Sequence, residues 1–199
     1  MFVSVIISTY NAPEWLEKVI WGYAVQSYRG FELVVADDGS TQETALLIGR
    51  LRRQTGLDIR HVWHEDRGFR KCRILNQATE AAEGDYLLFT DGDCIPRWDF
   101  IEQHVAHAEP GCLLSGGCVR LPLALSKRIT PDDVVQGRAT DPRWLVAHGL
   151  GWNKRLRMLT CGPRTARILD ALTTTRATWN GCNASTWKEH IVAVNGHDE

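Results

Sequence analysis

None of the six cysteines in this 199-residue chain stands in a CxxC pair or a C-x₂₋₄-C…H-x₃₋₅-H pattern. Neither a zinc site nor a disulfide framework is therefore expected, and the thiols read as reduced and mostly buried. Long apolar runs are missing too. The amino-terminal FVSVIIS falls well short of the roughly 18 residues that a bilayer-spanning helix needs, and it lacks the charged start and cleavage site of a secretory signal. A cytoplasmic address follows as the default expectation. There is no internal repeat and no low-complexity tract, and a composition of 44% hydrophobic and 24% charged residues excludes a disordered or collagen-like chain. One domain over 1–199 is expected, with a weakly patterned segment late in the chain.

Net charge is nearly absent, at −1, but the balance is uneven. Between residues 120 and 167, Arg120, Lys127, Arg128, Arg138, Arg143, Lys154, Arg155, Arg157, Arg164 and Arg167 face three acids, Asp132, Asp133 and Asp141. That segment carries +7 and the remainder −8. Two readings stay open: an anionic partner, such as a lipid headgroup or phosphorylated acceptor, or a solvated insertion with dispersed charge.

What is present is an alternation of short β-branched runs with amphipathic stretches. Val3 to Ser8 reads as a strand, with Asn11 and Pro13 as cap and first turn of a helix whose inner face is Leu16, Val19, Ile20 and Tyr23. Phe31 to Ala36 is a second strand ending in Asp37-Asp38-Gly39-Ser40, with a helix-like segment through Arg53. Asp58 to His64 is a third strand. Arg67-Gly68-Phe69 opens a helix with Leu75, Ala78 and Ala82 inward, and Tyr86 to Thr90 is a fourth strand. This order predicts an α/β, Rossmann-like, mainly parallel sheet with helices on both faces. Beyond it, a helix is expected over Trp98 to Ala108 and a strand over Gly111 to Leu121, broken at Gly116-Gly117. Four prolines between 122 and 163 predict loops and short helices rather than a second core.

Asp91-Gly92-Asp93 stands where the fourth apolar run stops, and ligands of open α/β sheets lie beyond the carboxyl ends of strands. Two carboxylates there suit a hard cation, Mg²⁺ or Mn²⁺, that completes its coordination with nucleotide phosphates. The alternative is a solvated Asp-Gly turn. His104 and His107, three apart on a helix, read as solvent-exposed, and His61 and His64 fall on opposite faces of their strand.

Taken in order, Val3–Asn11, Val34–Ser40, Ala82–Tyr86 and Asp91-Gly92-Asp93 resemble the family 2 glycosyltransferases of the GT-A fold, which move a sugar from a nucleotide donor with inversion. Asp66-Arg67-Gly68-Phe69…Asn76 followed by Asp91-Gly92-Asp93-Cys94 is similar to chondroitin-polymerase-like and galactosyltransferase-like members. Each motif alone is common, but the ordered set is specific. The likeness is strong over 1–110, weak afterwards, and returns at Trp179–Asn183 and Asn195–Glu199.

The resemblance implies a nucleotide-sugar-binding half over 1–110 and an acceptor side over 111–199 that holds the basic insertion 120–167. It places Thr9, Tyr10 and Asn11 beside the nucleoside and Asp38 on the base, commonly uracil, whose N–H a carboxylate accepts. Asp37 braces the turn. Arg67 and Lys71 become candidate contacts to diphosphate or base, Asp91 lies near the ribose, and Asp93, with Asp91, holds the metal. Leu75 departs from the Arg that relatives often carry before the Asn. Trp179, Asn180 and Asn183 fall on the acceptor side, with core packing as the other reading for the tryptophans at 179 and 187.

Members carry the general base on an acidic pair after the equivalent of Asn195–Glu199. The base is thus expected past Glu199, with Asp198 a weaker candidate, and the chain reads as shortened. The partners implied are a UDP-sugar and a glycan or lipid-linked acceptor in cell-surface polysaccharide synthesis, with peripheral contact at the inner membrane face and no nucleic acid. A nucleotide-sugar-binding module without turnover is the competing reading. A nucleotidyltransferase fits less well, because Thr9-Tyr10-Asn11 is no glycine-rich basic phosphate loop.

Overall fold

The computed structural model describes residues 1–151, 156, 159–160 and 178–198. Lys154, Arg155, Arg157, Arg164 and Arg167 of the basic segment and Glu199 lie outside the described residues.

Strands β1 (Val3–Thr9), β2 (Phe31–Asp37), β3 (Ile59–Trp63) and β4 (Tyr86–Asp91) alternate with helices α1 (Pro13–Ala24), α2 (Gln42–Thr55) and α3 (Lys71–Ala81). Then come α4 (Phe100–Ala106), β5 (Leu114–Ser115), α5 (Leu123–Arg128), α6 (Pro131–Val135), α7 (Pro142–Ala147), β6 (Ala184–Trp187) and α8 (Lys188–Ala193). The sheet order is β3-β2-β1-β4-β6-β5, with the first four strands parallel and β6 antiparallel to both neighbours. This is the expected α/β architecture.

Strands β1, β2 and β4 are buried on both faces, and their alternation assigns each side chain to one of two layers. Val3, Val5, Ile7, Leu33, Val35 and Leu88 face α1, α2 and Ile101 of α4. Ile6, Val34, Ala36, Leu87 and Phe89 face Ile74, Leu75 and Ala78 of α3 and Ile191 of α8. All four α1 residues predicted to point inward are fully buried. Pro13 opens α1 as expected, but Ala12 rather than Asn11 holds the N-cap, and no side chain caps it. Asn11 adopts a positive φ of 44° and its Oδ1 accepts the Thr41 N–H at 3.0 Å, so it latches two turns together.

Three further expectations need correction. Arg67-Gly68-Phe69 lies in the loop before α3, since Gly68 has φ 86° and the helix begins at Lys71. The strand expected over Gly111 to Leu121 shrinks to Leu114–Ser115, because Asn180 and Asn183 amides occupy the Gly116 and Gly117 carbonyls at 2.7 and 2.9 Å. The segment after Pro122 is short-helical as predicted, yet Leu125, Ile129, Val134, Leu145 and Leu150 gather into a cluster of their own, packed on Trp21 and Ile95. Arg138 is neutralised there by Asp132 and by Asp133 at 2.7 Å, which trims the free charge of the basic segment.

Gly39 and Gly56 both have positive φ, at 95° and 69°, but only Gly39 is crowded. A Cβ on Gly39 would lie 2.6 Å from the Asp66 Cα, whereas one on Gly56 would meet nothing within 4 Å. Gly56→Ala is expected to cost about 1 kcal/mol of backbone strain. Gly39→Ala adds an overpacking penalty of about 1–3 kcal/mol to that strain. Urea unfolding of the two variants side by side measures the difference.

Candidate functional site

Register gathers the polar turns. Thr9 pairs with Asp37 across β1 and β2, Ser8 with Asp91 across β1 and β4, and Asp37 with Trp63 across β2 and β3. The turns at 9–11, 37–40 and 91–93 therefore share one rim. Close packing secures it: Gly92 donates to the Ser8 carbonyl at 2.7 Å, and Asp38 donates from its backbone to Thr9 at 3.0 Å.

The β2 turn is built on two adjacent aspartates. Asp37, fully buried, accepts the Ser40 N–H at 2.8 Å on Oδ1 and meets His61 Nε2 at 2.8 Å on Oδ2, so it braces the turn as expected. Asp38 meets His64 Nε2 at 2.7 Å on Oδ1 and accepts the Arg70 N–H at 2.9 Å on Oδ2. A carboxylate has about four acceptor positions, so these contacts leave capacity on Asp38 for one more donor.

Asp38, Thr9, Tyr10, Lys71, Asp91 and Asp93 line one cavity of about 300 Å³, with Trp15 and the exposed ring of Phe69. Tyr10 spans its edge, donating its hydroxyl to Asp66 Oδ2 at 2.9 Å. The Gly68 N–H and then this hydroxyl hold Asp66 below the usual carboxylate range, and the contact raises the tyrosine in turn. Lys71, the first residue of α3, places its ammonium 2.5 Å from Asp91 Oδ1, where the Ser8 hydroxyl also donates at 2.7 Å. Both contacts fall on one oxygen, and Asp91 Oδ2 takes no hydrogen bond from a described residue. Asp93 is exposed, and its contact is a long one from the Cys94 thiol at 3.4 Å. Two carboxylate oxygens are thus available on one wall, which is the donor set a hard divalent cation prefers.

Other candidates are placed elsewhere. Arg67 is largely exposed and bound to Glu65 at 2.9 Å, and neither it nor Asn11 lines the cavity. A second cavity of about 1,000 Å³ opens on the far side of the same wall, sharing Trp15, Asp91 and Asp93 and reaching the α5–α7 segment. Asn183 lines it; Trp179 and Asn180 line neither. Trp179 packs edge-on against Phe89 at 5.2 Å, and the Asn180 and Asn183 amides are committed to the Gly116-Gly117 loop. Asp198 is exposed and lines neither cavity. His197 beside it sits against Phe89 at 5.4 Å, with its backbone clamped by the Asn76 amide at 2.8 and 2.9 Å. Burial, then the Lys71 charge, lowers its pKa.

Sequence reasoning missed two features. His104 is buried, not exposed: Nδ1 lies 2.6 Å from the Ser185 hydroxyl and Nε2 2.9 Å from Asn183 Oδ1. Since Asn183 Oδ1 only accepts, Nε2 carries the proton, Nδ1 accepts from Ser185, and Ser185 in turn accepts from the Tyr86 hydroxyl at 2.7 Å. The described cysteines are half-buried or exposed rather than mostly buried, and Cys94 and Cys182 converge beside Asp91. No single stretch of sequence signals either arrangement.

The chain belongs to glycosyl transferase family 2: residues 4–151 match the model that carries that description. Among curated proteins it is 34% identical over 95 residues to the poly(ribitol-phosphate) beta-N-acetylglucosaminyltransferase TarS of Staphylococcus aureus, covering 47% of this chain and 16% of that protein. It is 28% identical over 104 residues to the chondroitin synthase of Pasteurella multocida, covering 52% and 11%. The chain thus spans well under a fifth of the length of either relative. Among solved structures, the mannosyltransferase PcManGT from Pyrobaculum calidifontis, in complex with GDP-Man and Mn²⁺, aligns over 98% of this chain and 46% of its own, with a TM-score of 0.61 and 23% identity. Mycobacterium tuberculosis glucosyl-3-phosphoglycerate synthase aligns over 94% and 57%, at 0.51 and 18%. These likenesses establish the GT-A fold. Among the described residues no helix is long and apolar enough to cross a membrane.

His104 gives the fold a pH dependence of known sign. Burial pushes its pKa from the ordinary 6.5 down to about 4, so the unfolded chain binds a proton that the folded chain refuses. Its contribution is intact above about pH 6.5 and is lost as pH falls toward about 4, by up to about 3 kcal/mol. His104→Gln keeps a donor and an acceptor without titrating. Between about pH 7 and about pH 4.5, its loss of urea stability is expected to be smaller than the native chain's by about 2 kcal/mol.

Proposed function

We propose that this chain transfers a sugar, with inversion, from a UDP-sugar to a hydroxyl of a glycan or lipid-linked acceptor in cell-surface polysaccharide synthesis, with Asp91 and Asp93 holding a divalent cation. The observation that carries the reading is the shared wall: these two carboxylates stand between a small cavity edged by Asp38 and a large one on the other side. Donor and acceptor can then meet over Asp91 and Asp93.

In this reading the base lies against Thr9 and Tyr10 and offers its N–H to Asp38, which His64 and Arg70 hold in place. Lys71 keeps Asp91 oriented and puts a cation within reach of the diphosphate. As the sugar–phosphate bond breaks, negative charge grows on the departing nucleoside diphosphate, and preorganised positive groups stabilise it more than they stabilise the ground state. A divalent cation held by Asp91 and Asp93 would supply Lewis-acid stabilisation of that charge. The Mn²⁺ and GDP-Man named for the mannosyltransferase of like fold and the glycan-directed names of the curated relatives support the class. The basic segment supports a lipid-linked acceptor and contact with an anionic membrane face through Arg120, Lys127, Arg128 and Arg143 of its described part.

A binding module without turnover is the second reading, favoured by the exposed position of Asp198 away from both cavities. A transfer assay with this chain separates the two, since turnover would leave the binding-only reading without support.

Thermal shift with UDP, GDP or dTDP, with and without Mn²⁺, tests the donor site. Ligand at about a hundred times its dissociation constant adds about 2.7 kcal/mol to the native state. UDP with Mn²⁺ is expected to give the largest rise, and Asp93→Ala to remove the part that depends on metal. An unchanged metal-dependent rise in Asp93→Ala contradicts the assignment.

A further inference from the structure

We propose that Cys94, Cys182 and Asp91 form a binding site for a thiophilic divalent cation of the zinc class. This site shares Asp91 with the carboxylate pair and differs from it in its thiol ligands, so its test reads thiolate coordination and not donor binding. One ligand atom from each of Asp91, Cys94 and Cys182 lies within 4.8 Å of the others. Tetrahedral zinc with sulfur bonds of about 2.3 Å spaces its ligand atoms about 3.8 Å apart, so closure needs shifts of about 1 Å, within reach of cysteine rotamers.

Three separate segments supply these groups: the end of β4, the turn after it and the turn before β6. Their convergence is held from outside the cluster. Thr90 Oγ1 donates to the Cys182 carbonyl at 3.1 Å, which fixes that turn against β4. The Cys182 thiol reaches Asn180 Oδ1 at 3.3 Å, while the Asn180 amide nitrogen is anchored on Gly116. Such supporting bonds orient metal ligands before the ion arrives. All three groups line the large cavity, which gives a cation a route in from solvent.

Ligand type sets selectivity. Thiolates favour zinc and other soft cations over Mg²⁺ or Mn²⁺, and Asp91 supplies the borderline oxygen seen in mixed sites. Burial and the neighbouring Asp93 carboxylate raise the Cys94 thiol's pKa, so the free protein holds it protonated and a bound cation must displace that proton.

The test titrates the reduced, metal-free chain with Cd²⁺ alone and reads the thiolate-to-cadmium charge-transfer band in the ultraviolet. One Cd²⁺ per chain is expected, displaced by Zn²⁺ and not by Mg²⁺. Cys94→Ser and Cys182→Ser should each shrink the band and weaken binding by at least about tenfold, the low end of what losing a mere supporting bond around a metal ligand costs. Cys112→Ser, outside the cluster, should leave the band in place. Cooperative urea unfolding of each metal-free variant shows that it is folded, and if Cys94→Ser fails there, Cys182→Ser and Asp91→Asn carry the test. No band in the native chain, or an undiminished band in folded Cys182→Ser, overturns the site.

Discussion

The parallel registration of β1 with β2 and β4 is the constraint on which everything else in this molecule rests. Seven paired positions along β1 and β2, and six along β1 and β4, bring Thr9, Asp37 and Asp91 to one edge of the sheet. A shift of one residue in either ladder would turn every side chain of that strand to the opposite face. It would send Val3, Val5 and Ile7, or their partners, to the wrong helix layer. The hydrophobic layers thus select the register, and the register sets where the carboxylates end. Core packing and site geometry are one condition in this chain.

The rim that results is stiff because its acids are used twice. Asp37 and Asp38 are adjacent and nearly inaccessible, a costly arrangement for two carboxylates unless each is paired and hydrogen-bonded. His61 and His64 supply the pairing from β3 and the residue beyond it, while Ser40 and Arg70 supply backbone N–H groups. The two histidines were read as facing opposite sides of their strand. The β2 turn accommodates both, because successive aspartates themselves diverge. Two strands and the loop entering α3 are tied to one turn, and Tyr10 and Phe69 flank a cavity whose floor is already set.

Much of this was legible in the sequence, and the exceptions share a cause. The first four strands and three helices follow from local periodicity, because their side chains sort by position within each element. Asp91 and Asp93 could be nominated from their place at a strand's end, and Asp38 and Lys71 from the family resemblance. His104 could not: its partners Asn183 and Ser185 lie about 80 residues away in sequence. A helix face that meets a strand formed late in the chain looks the same in sequence as one that meets water. The amide contacts of Asn180 and Asn183 were hidden for a similar reason, since an amide suited to a sugar hydroxyl is equally suited to the backbone carbonyls of a glycine pair. Arg67 read as a cation near phosphate, but Gly68 turns the chain there, and Glu65 lies nearer than the cavity.

The antiparallel addition of β6 beside β4 has a consequence for chemistry. It brings Asn183 and Cys182 up beside the end of β4, so that Asp91 has the Lys71 ammonium on Oδ1 and the Cys94 and Cys182 thiols close by. Asp91 Oδ1 is committed to Ser8 and Lys71, which holds the group firmly while Oδ2 remains open to a ligand. A side chain fixed through one oxygen can offer the other with little loss of conformational entropy, and that is the property a metal or phosphate site requires. Asp93 lacks such restraint: it is exposed, and its contact is the long one from the Cys94 thiol. The wall between the two cavities therefore has one rigid and one adaptable carboxylate, a division of labour that follows from Ser8, at the end of β1, lying directly beside the first.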